Sequence, residues 1–102
     1  MYFLLTDRFK NGDQTNDLNF GRTEKAAVLR GFEGGDLRGI IQKIDDNYFS
    51  DLGINAIWMT PIVEQIHGAT DEGTGKTYGF HGYWTKDWTA LDPNFGTKQD
   101  LK

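Results

Sequence analysis

The chain has 102 residues, with 11 Lys and Arg residues against 15 Asp and Glu residues and a formal net charge of −4 at pH 7. This length allows one small domain, and no apolar run reaches the roughly 20 residues that cross a bilayer. The acidic balance argues against nucleic acid as a partner, because nucleic-acid-binding proteins use clustered Lys and Arg to neutralise phosphates. The absence of Cys excludes disulfides, thiolate metal sites and Cys nucleophiles. The first residues show no basic segment or small-residue cleavage site, so we expect no signal peptide in this chain.

The first half of the sequence predicts a strand, a helix and a second strand. Residues 2–6 are a continuous apolar run, which is typical of a strand buried on both faces. Asp36 is predicted to cap a helix over residues 37–52, where apolar residues recur at three- and four-residue spacing, and Gly53 is predicted to end it. Residues 56–60 predict a second buried strand. This order predicts a right-handed βαβ unit with parallel strands.

Two long loops follow the two predicted strands. The first covers residues 9–35, and the second begins at Ile62 and continues to a turn over residues 92–97, after which a new helix begins at Lys98. Ligand sites in parallel α/β folds lie at the carboxyl ends of the strands. We therefore expect both loops to contribute to function.

The first loop is rich in oxygen donors. Asn and Asp crowd residues 11–17, and residues 34–36 return with Gly-Gly-Asp. Oxygen ligands without His or Cys are the preference of Ca²⁺. An EF-hand does not fit, because Asn16 and Arg22 stand where that motif needs Gly and Glu. From the residues alone, a solvated polar turn remains the alternative, since Asn, Asp and Gly dominate turns.

The second loop contains an unusual aromatic segment. Residues 78–84 alternate rings and a His with Gly, which is typical of a small-ligand pocket and suits sugars, although such rings could also pack on the protein's own fold. A phosphate-binding loop ending at residues 75–77 is not supported, because its first Gly is missing. His67 has no identifiable partner. Asp87 and Asp92 are not favoured as a catalytic carboxylate pair, because no strand is predicted beneath them.

Four segments resemble the N-terminal part of the α-amylase family, glycoside hydrolase family 13. They are residues 2–9, 34–40, 56–61 and 81–87, and they occur in order over nearly the whole chain. The resemblance implies an α/β fold, the first βαβ portion of a (β/α)8 TIM barrel. Residues 1–102 would then be the N-terminal part of the catalytic domain and an incomplete barrel. Because such a barrel needs about 250 residues, the rest of the barrel would be required for activity.

The resemblance implies an enzyme that cleaves α-1,4-glucosidic bonds in starch-like α-glucans with retention of configuration. The alternatives are a cyclodextrin glucanotransferase or maltogenic transglycosylase of the same family, and a non-catalytic carbohydrate-binding homologue. The catalytic Asp, Glu and Asp of the family lie on later strands, so we assign no catalytic residue here. The family also implies a secreted or periplasmic protein.

Two groups of site residues follow from the same resemblance. The loop similar to the family's N-terminal calcium site implies Ca²⁺ as a cofactor. In the aromatic segment, the resemblance implies that Tyr83 is the ring under the sugar at subsite −1 and that His81 forms a hydrogen bond to that sugar. Trp84 matches a further residue that lines the site. The implied calcium ligands are Asn11, Asp13, Asn16, Asp17, Gly34 (through its carbonyl) and Asp36.

Overall fold

The computed structural model describes residues 1–22 and 25–102. Its elements are short: within the described residues, one strand is followed by three α-helices and a 3-10 helix, then by five strands and a last helix. Among the described residues, no helix is long and apolar enough to cross a membrane. In chain order the elements are β1 (Tyr2–Leu4), α1 (Thr6–Phe9), a 3-10 helix (Gln14–Asn16), α2 (Leu37–Asp45), α3 (Tyr48–Asp51), β2 (Ile57–Met59), β3 (Val63–Gln65), β4 (Thr70–Asp71), β5 (Lys76–Thr77), β6 (Thr85–Leu91) and α4 (Lys98–Leu101).

The predicted strand-helix-strand unit is present. β1 and β2 pair in parallel, with Tyr2 opposite Ile57 and Leu4 opposite Met59. The chain passes through α2 between them, and the helix packs on one face of the pair. Among the described residues, the core cluster consists of six buried hydrophobic side chains: Leu4, Leu37, Ile40, Phe49, Ile62 and Phe95.

The prediction that both strands are buried on both faces is wrong. The side chains of Phe3 and Trp58 are 54% and 56% exposed, and their rings contact each other edge to face at 5.7 Å between centroids. Leu4, which points to the opposite face, is buried. The physical reason is that α2 covers one face of the strand pair, and no described element covers the other. The first strand is also shorter than predicted, because Thr6 begins α1.

The single helix predicted over residues 37–52 is two helices. Asn47 takes a left-handed conformation (φ +66°) between α2 and α3, and Asp46 accepts a hydrogen bond from the backbone N–H of Tyr48. Asp and Asn favour such turns because their short side chains can bond to nearby backbone. The predicted ends are confirmed. Asp36 caps α2, accepting from the Gly39 N–H at 2.8 Å, and Gly53 follows α3 with φ +76°.

The second loop is not the continuous loop that the sequence predicts. β3 pairs with β6 and β4 pairs with β5, both antiparallel. The β3–β6 register shifts twice, so that Val63 faces Leu91 while Gln65 faces Thr85. β3, β4 and β5 have only two or three residues each, which gives too little alternation to detect. β6, with seven residues, pairs with a segment up to 28 positions away, in the register Val63–Leu91. The predicted last helix is confirmed as α4, which begins with a capping box of Thr97 and Asp100.

Candidate functional site

The three residues predicted to bind sugar lie together on the aromatic loop, residues 78–84. The ring of His81 meets Trp84 edge to face at 4.5 Å between centroids and lies nearly parallel to Tyr83 at 6.1 Å. Tyr83 is 60% exposed, whereas Tyr78 at the start of the loop is buried. Tyr78 therefore packs against the protein itself, whereas Tyr83 faces solvent and is accessible to a ligand.

The hydrogen bonding of His81 defines which of its ring nitrogens is available. The Nδ1 atom accepts a hydrogen bond from the backbone N–H of Tyr83 at 3.0 Å. A neutral ring that accepts at Nδ1 has its proton on Nε2, which can then donate to a ligand hydroxyl. Burial lowers the pKa of His81 below its ordinary 6.5, with the negative charge of Glu72 opposing that shift. The structure thus favours a neutral His81.

Gln65 holds the aromatic loop, and the sequence analysis did not identify it. Its side chain is fully buried. The Nε2 atom donates to the carbonyl oxygens of Val63 at 2.8 Å and Gly82 at 3.1 Å, and Oε1 accepts from the Trp84 N–H at 2.8 Å. The sequence offers only a lone amide directly after Glu64, which does not by itself indicate a partner.

A buried ion pair between Arg22 and Asp92 joins the first loop to this region. The Arg22 guanidinium donates to both carboxylate oxygens of Asp92, at 2.9 and 2.7 Å, and both side chains are almost fully buried. Asp92 also accepts from the backbone N–H groups of Gln65 and Asn94. Both oxygens of its carboxylate are therefore engaged by protein donors.

The surroundings of Asp87 and His67 differ from those that the sequence predicts. Asp87 lies on β6, so a strand does support it, but its Oδ1 accepts from the backbone and hydroxyl of Thr89, which hold its pKa below the usual range. His67 does have partners. It lies 2.9 Å from a carboxylate oxygen of Glu64, and its ring stacks on Phe20 at 3.8 Å between centroids.

In the first loop, part of the predicted calcium set meets around two buried oxygens. Asn11 Nδ2 donates to Asp17 Oδ2 at 2.8 Å, and Asn11 Oδ1 and Asp17 Oδ1 are buried with no hydrogen-bond donor among the described residues. Gly34 lies against them, since a Cβ there would come within 2.4 Å of Asn11 Nδ2. Buried oxygens without a donor are costly, and a hard cation would satisfy both. These three residues therefore fit Ca²⁺.

The other three predicted ligands are already engaged by protein groups. Asp36 accepts at Oδ1 from the Gly39 and Gly12 N–H groups and at Oδ2 from the Asp13 N–H. Asp13 Oδ1 accepts from Thr15, and the Asn16 amide fits its neighbours with its nitrogen donating to Asp13 and Asp36. No cluster of three or more His, Asp or Glu residues placed to hold a metal occurs in the described part of the chain.

Asp7, which the sequence analysis did not identify, fixes the return of the first loop. Its buried carboxylate accepts from the backbone N–H groups of Glu33 and Gly34 and pairs with Arg8. Burial raises the pKa of Asp7 to about 6, because desolvation outweighs the lowering by those N–H groups and by Arg8. Asp7 therefore places Gly34 beside Asn11 and Asp17.

Comparisons with known proteins assign this arrangement to a family. The model of the α-amylase catalytic domain matches residues 3–102. The chain is 48% identical over 106 residues to a periplasmic α-amylase from Escherichia coli (strain K12), covering 100% of this chain and 15% of that protein. It is 39% identical over 103 residues to a cyclomaltodextrin glucanotransferase from Klebsiella oxytoca, again covering 100% and 15%.

Solved structures agree. The chain superimposes on the γ-cyclodextrin glucanotransferase from alkalophilic Bacillus clarkii with a TM-score of 0.84 at 37% identity, covering 98% of this chain and 15% of that one. The chain thus spans about 15% of the length of the curated relatives described above. The described residues form a small mixed piece of helix and strand from the fold of these enzymes, without a closed barrel. The chain belongs to the α-amylase family, glycoside hydrolase family 13.

Proposed function

We propose that the full-length protein containing this sequence is a glycoside hydrolase of the α-amylase type, which cleaves α-1,4-glucosidic bonds in starch-like glucans with retention of configuration. The family match over residues 3–102 supports the reaction class. The proposal depends most on the exposed ring of Tyr83, which lies beside His81 and Trp84 on the aromatic loop. Gln65 bonds to the backbone of this loop.

In this proposal the segment binds substrate and does not supply the reacting carboxylates. A retaining glycosidase needs a nucleophile and an acid/base roughly 5–5.5 Å apart across the scissile bond. The buried carboxylates of Asp7, Asp36 and Asp92 all accept backbone N–H groups or Arg side chains. The nucleophile and the acid/base would therefore come from other parts of the barrel, which is required for activity.

The aromatic loop supplies complementary contacts for a sugar at the reacting centre. The Tyr83 ring offers a flat apolar face for the C–H groups of the sugar at subsite −1. His81, whose Nδ1 is occupied by the Tyr83 N–H, would donate from Nε2 to a sugar hydroxyl. Trp84 holds the His81 ring by its edge contact and lines the same face.

We also propose Ca²⁺ as a structural cofactor of the first loop. Asn11 Oδ1, Asp17 Oδ1 and the carbonyl of Gly34 would hold the ion, and Asp13, Asn16 and Asp36 would brace that loop or complete the ligand set. Asn11 Oδ1 and Asp17 Oδ1, which are buried and have no hydrogen-bond donor in the described part of the chain, support this assignment. When bound, the cation supplies positive charge that ties the first loop to its return. A secreted or periplasmic location is proposed with it, in line with the periplasmic α-amylase relative.

A transglycosylase is the second candidate. Several relatives named as cyclomaltodextrin glucanotransferases cover the entire chain at 36–39% identity. The products from soluble starch distinguish the candidates. Linear malto-oligosaccharides with new reducing ends indicate a hydrolase, and cyclic products without reducing ends indicate a glucanotransferase. A protein that binds starch but yields neither product would be the non-catalytic homologue.

Tyr83→Ala in the full-length protein tests the sugar-binding role. We expect kcat/KM on soluble starch to fall by about ten-fold or more, about 1.4 kcal/mol, with little change in Tm because the ring is exposed. Trp88→Ala is the matched control, since Trp88 is an exposed ring on β6 outside the aromatic loop. A Tyr83→Ala protein with a lowered Tm and normal kinetics would show that the ring packs rather than binds.

A further inference from the structure

The environment of Gln65 suggests a role beyond filling space. The two Nε2 hydrogens and the Oε1 acceptor all have partners, and two of these partners, the Gly82 carbonyl and the Trp84 N–H, belong to the aromatic loop. Because the donor and acceptor ends of the amide meet opposite groups, a rotated amide would place like groups together and lose these bonds. The side chain thus fixes the positions of two loop residues on either side of Tyr83.

The backbone of Gln65 is held as firmly as its side chain. Its N–H donates to Asp92 Oδ2 at 2.9 Å, and its carbonyl accepts from the Arg22 guanidinium at 2.9 Å. Arg22 and Asp92 pair with each other in the interior. The amide of Gln65 therefore projects from a backbone position that two charged residues define.

The aromatic loop packs so closely against Pro61 and β3 that few other backbone conformations fit there. A Cβ at Gly79 would lie 3.1 Å from the Gln65 Cβ, and one at Gly82 would lie 2.2 Å from the Pro61 carbonyl oxygen. Gly82 also has φ +85°, which favours glycine. The loop consequently wraps around the Gln65 side chain, and the two glycines permit that close approach.

We propose that Gln65 is a positioning residue that fixes the aromatic loop so that His81, Tyr83 and Trp84 present one glucan-binding face. It acts through the Gly82 carbonyl and the Trp84 N–H and does not itself contact the sugar. The effect on the loop stands on the structure alone, whereas its catalytic consequence rests on the proposed function. Gln65→Leu removes all three side-chain hydrogen bonds at similar volume, and Gln65→Glu keeps an acceptor for Trp84 but loses the amide donor to Gly82.

Hydrogen exchange in the full-length protein tests the effect on the loop without any assay of activity. We expect amide exchange in residues 79–84 to accelerate by about ten-fold or more in Gln65→Leu, and by a smaller factor in Gln65→Glu. Glu64→Gln is the matched control, because this neighbour on β3 pairs with His67 and not with the aromatic loop. Unchanged exchange in residues 79–84 in both Gln65 variants would overturn the proposal. If Gln65→Leu does not fold, Gln65→Glu decides it.

A double-mutant cycle with Tyr83→Ala tests the catalytic consequence. If Gln65 acts through the sugar-binding face, Gln65→Glu lowers kcat/KM on soluble starch by about five-fold or more, and by less than about two-fold when Tyr83 is already Ala. Equal losses in both backgrounds would show a general structural role and overturn this part. If the unsubstituted protein yields no glucan products, the proposed function fails, and the exchange measurement still decides whether Gln65 fixes the loop.

Discussion

Two regions of this molecule are stabilised by different interactions. The strand-helix-strand unit of β1, α2 and β2 is held by apolar side chains such as Leu4, Leu37 and Ile40. The two segments that follow its strands contribute only Ile62 and Phe95, among their described buried residues, to that core. They are held mainly by strand pairing and by buried polar side chains, among them Gln65 and Asp92, that bond to backbone N–H and C=O groups. The candidate sites both lie in the second kind of region.

The difference explains how irregular segments can hold defined positions. A buried backbone group needs a hydrogen-bond partner, and in a loop that partner is often a side chain. Asn94 shows the principle, because it accepts from Asn19, donates to the carbonyl of Asp17 and thereby ties the second loop to the first. A few polar residues thus define both sites while leaving the Tyr83 ring open to solvent.

The largest expected effect comes from breaking the buried ion pair. Asp92→Ala leaves the Arg22 guanidinium buried without its partner and frees the N–H groups of Gln65 and Asn94. We expect a loss of about 3–5 kcal/mol in the free energy of unfolding, measured by denaturant titration of the full-length protein. Asp87→Ala, a carboxylate on the neighbouring β6 strand that bonds to Thr89, is the control and should lose much less. Equal losses in both variants would show that the buried ion pair contributes no more to stability than the Asp87 carboxylate does, and would contradict the importance given to buried polar contacts in this region.

Ile40→Ala tests the apolar region in the same way. Ile40 is buried in the core between α2 and the strands, so we expect a loss of about 2–4 kcal/mol in the same titration. Ile44→Ala on the same helix, where the side chain is half exposed, should cost less. Folded Ile40→Ala protein should keep its kcat/KM, because the core cluster around Ile40 includes neither a described residue of the aromatic loop nor the polar side chains that hold it. A large kinetic defect at unchanged folding would show that the two regions are not separate.

The same contrast accounts for what the sequence could predict. The runs of apolar residues identified β1 and β2, and the residue types at the helix ends identified the cap at Asp36 and the end at Gly53. Both kinds of signal are local in the sequence. The helix break at Asn47 was missed, because the apolar spacing continues through it.

The long-range polar contacts left no comparable signal. Arg22 and Asp92 lie 70 positions apart, so nothing local connects them. Gln65 likewise bonds to Gly82 and Trp84, which are 17 and 19 positions away in the sequence and come close only in the folded chain. The family resemblance predicts sugar-binding roles for His81, Tyr83 and Trp84, but it does not indicate which residues hold them in place.

If the first loop binds calcium as proposed, removal of the metal should give a smaller effect that is confined to that loop. We expect EDTA to lower the Tm of the full-length protein, because a ligand that binds the folded state at 100 times its Kd stabilises it by about 2.7 kcal/mol. Asp17→Ala should lower the Tm without EDTA and abolish most of the further shift, since it removes one of the two unpaired oxygens. Asp45→Ala, an exposed carboxylate at the end of α2, should keep the full EDTA shift.

Asp36 is a poorer choice for that experiment. Its loss also removes the cap of α2 and the hydrogen bonds to Gly12 and Asp13, so a lowered Tm would follow with or without calcium. An EDTA shift that persists in Asp17→Ala, with removal of the metal confirmed by elemental analysis, would place the cation elsewhere.

The smallest expected effect is the pH dependence of the aromatic loop. Burial lowers the pKa of His81, so the folded state binds this proton less readily than the unfolded state does. The stability that neutral His81 contributes is therefore present above the unfolded pKa and is lost as the pH falls through the folded one. Protonation of Nδ1 would also place two donors face to face, because the Tyr83 N–H points at that atom. In His81→Asn, which keeps an acceptor but does not titrate, acidification below about pH 6.5 should lower the Tm less than it does in the unsubstituted protein. Tyr83→Phe, a change in the same loop that leaves the imidazole in place, should keep the full slope, and an equal slope in His81→Asn would assign the acid sensitivity to another group.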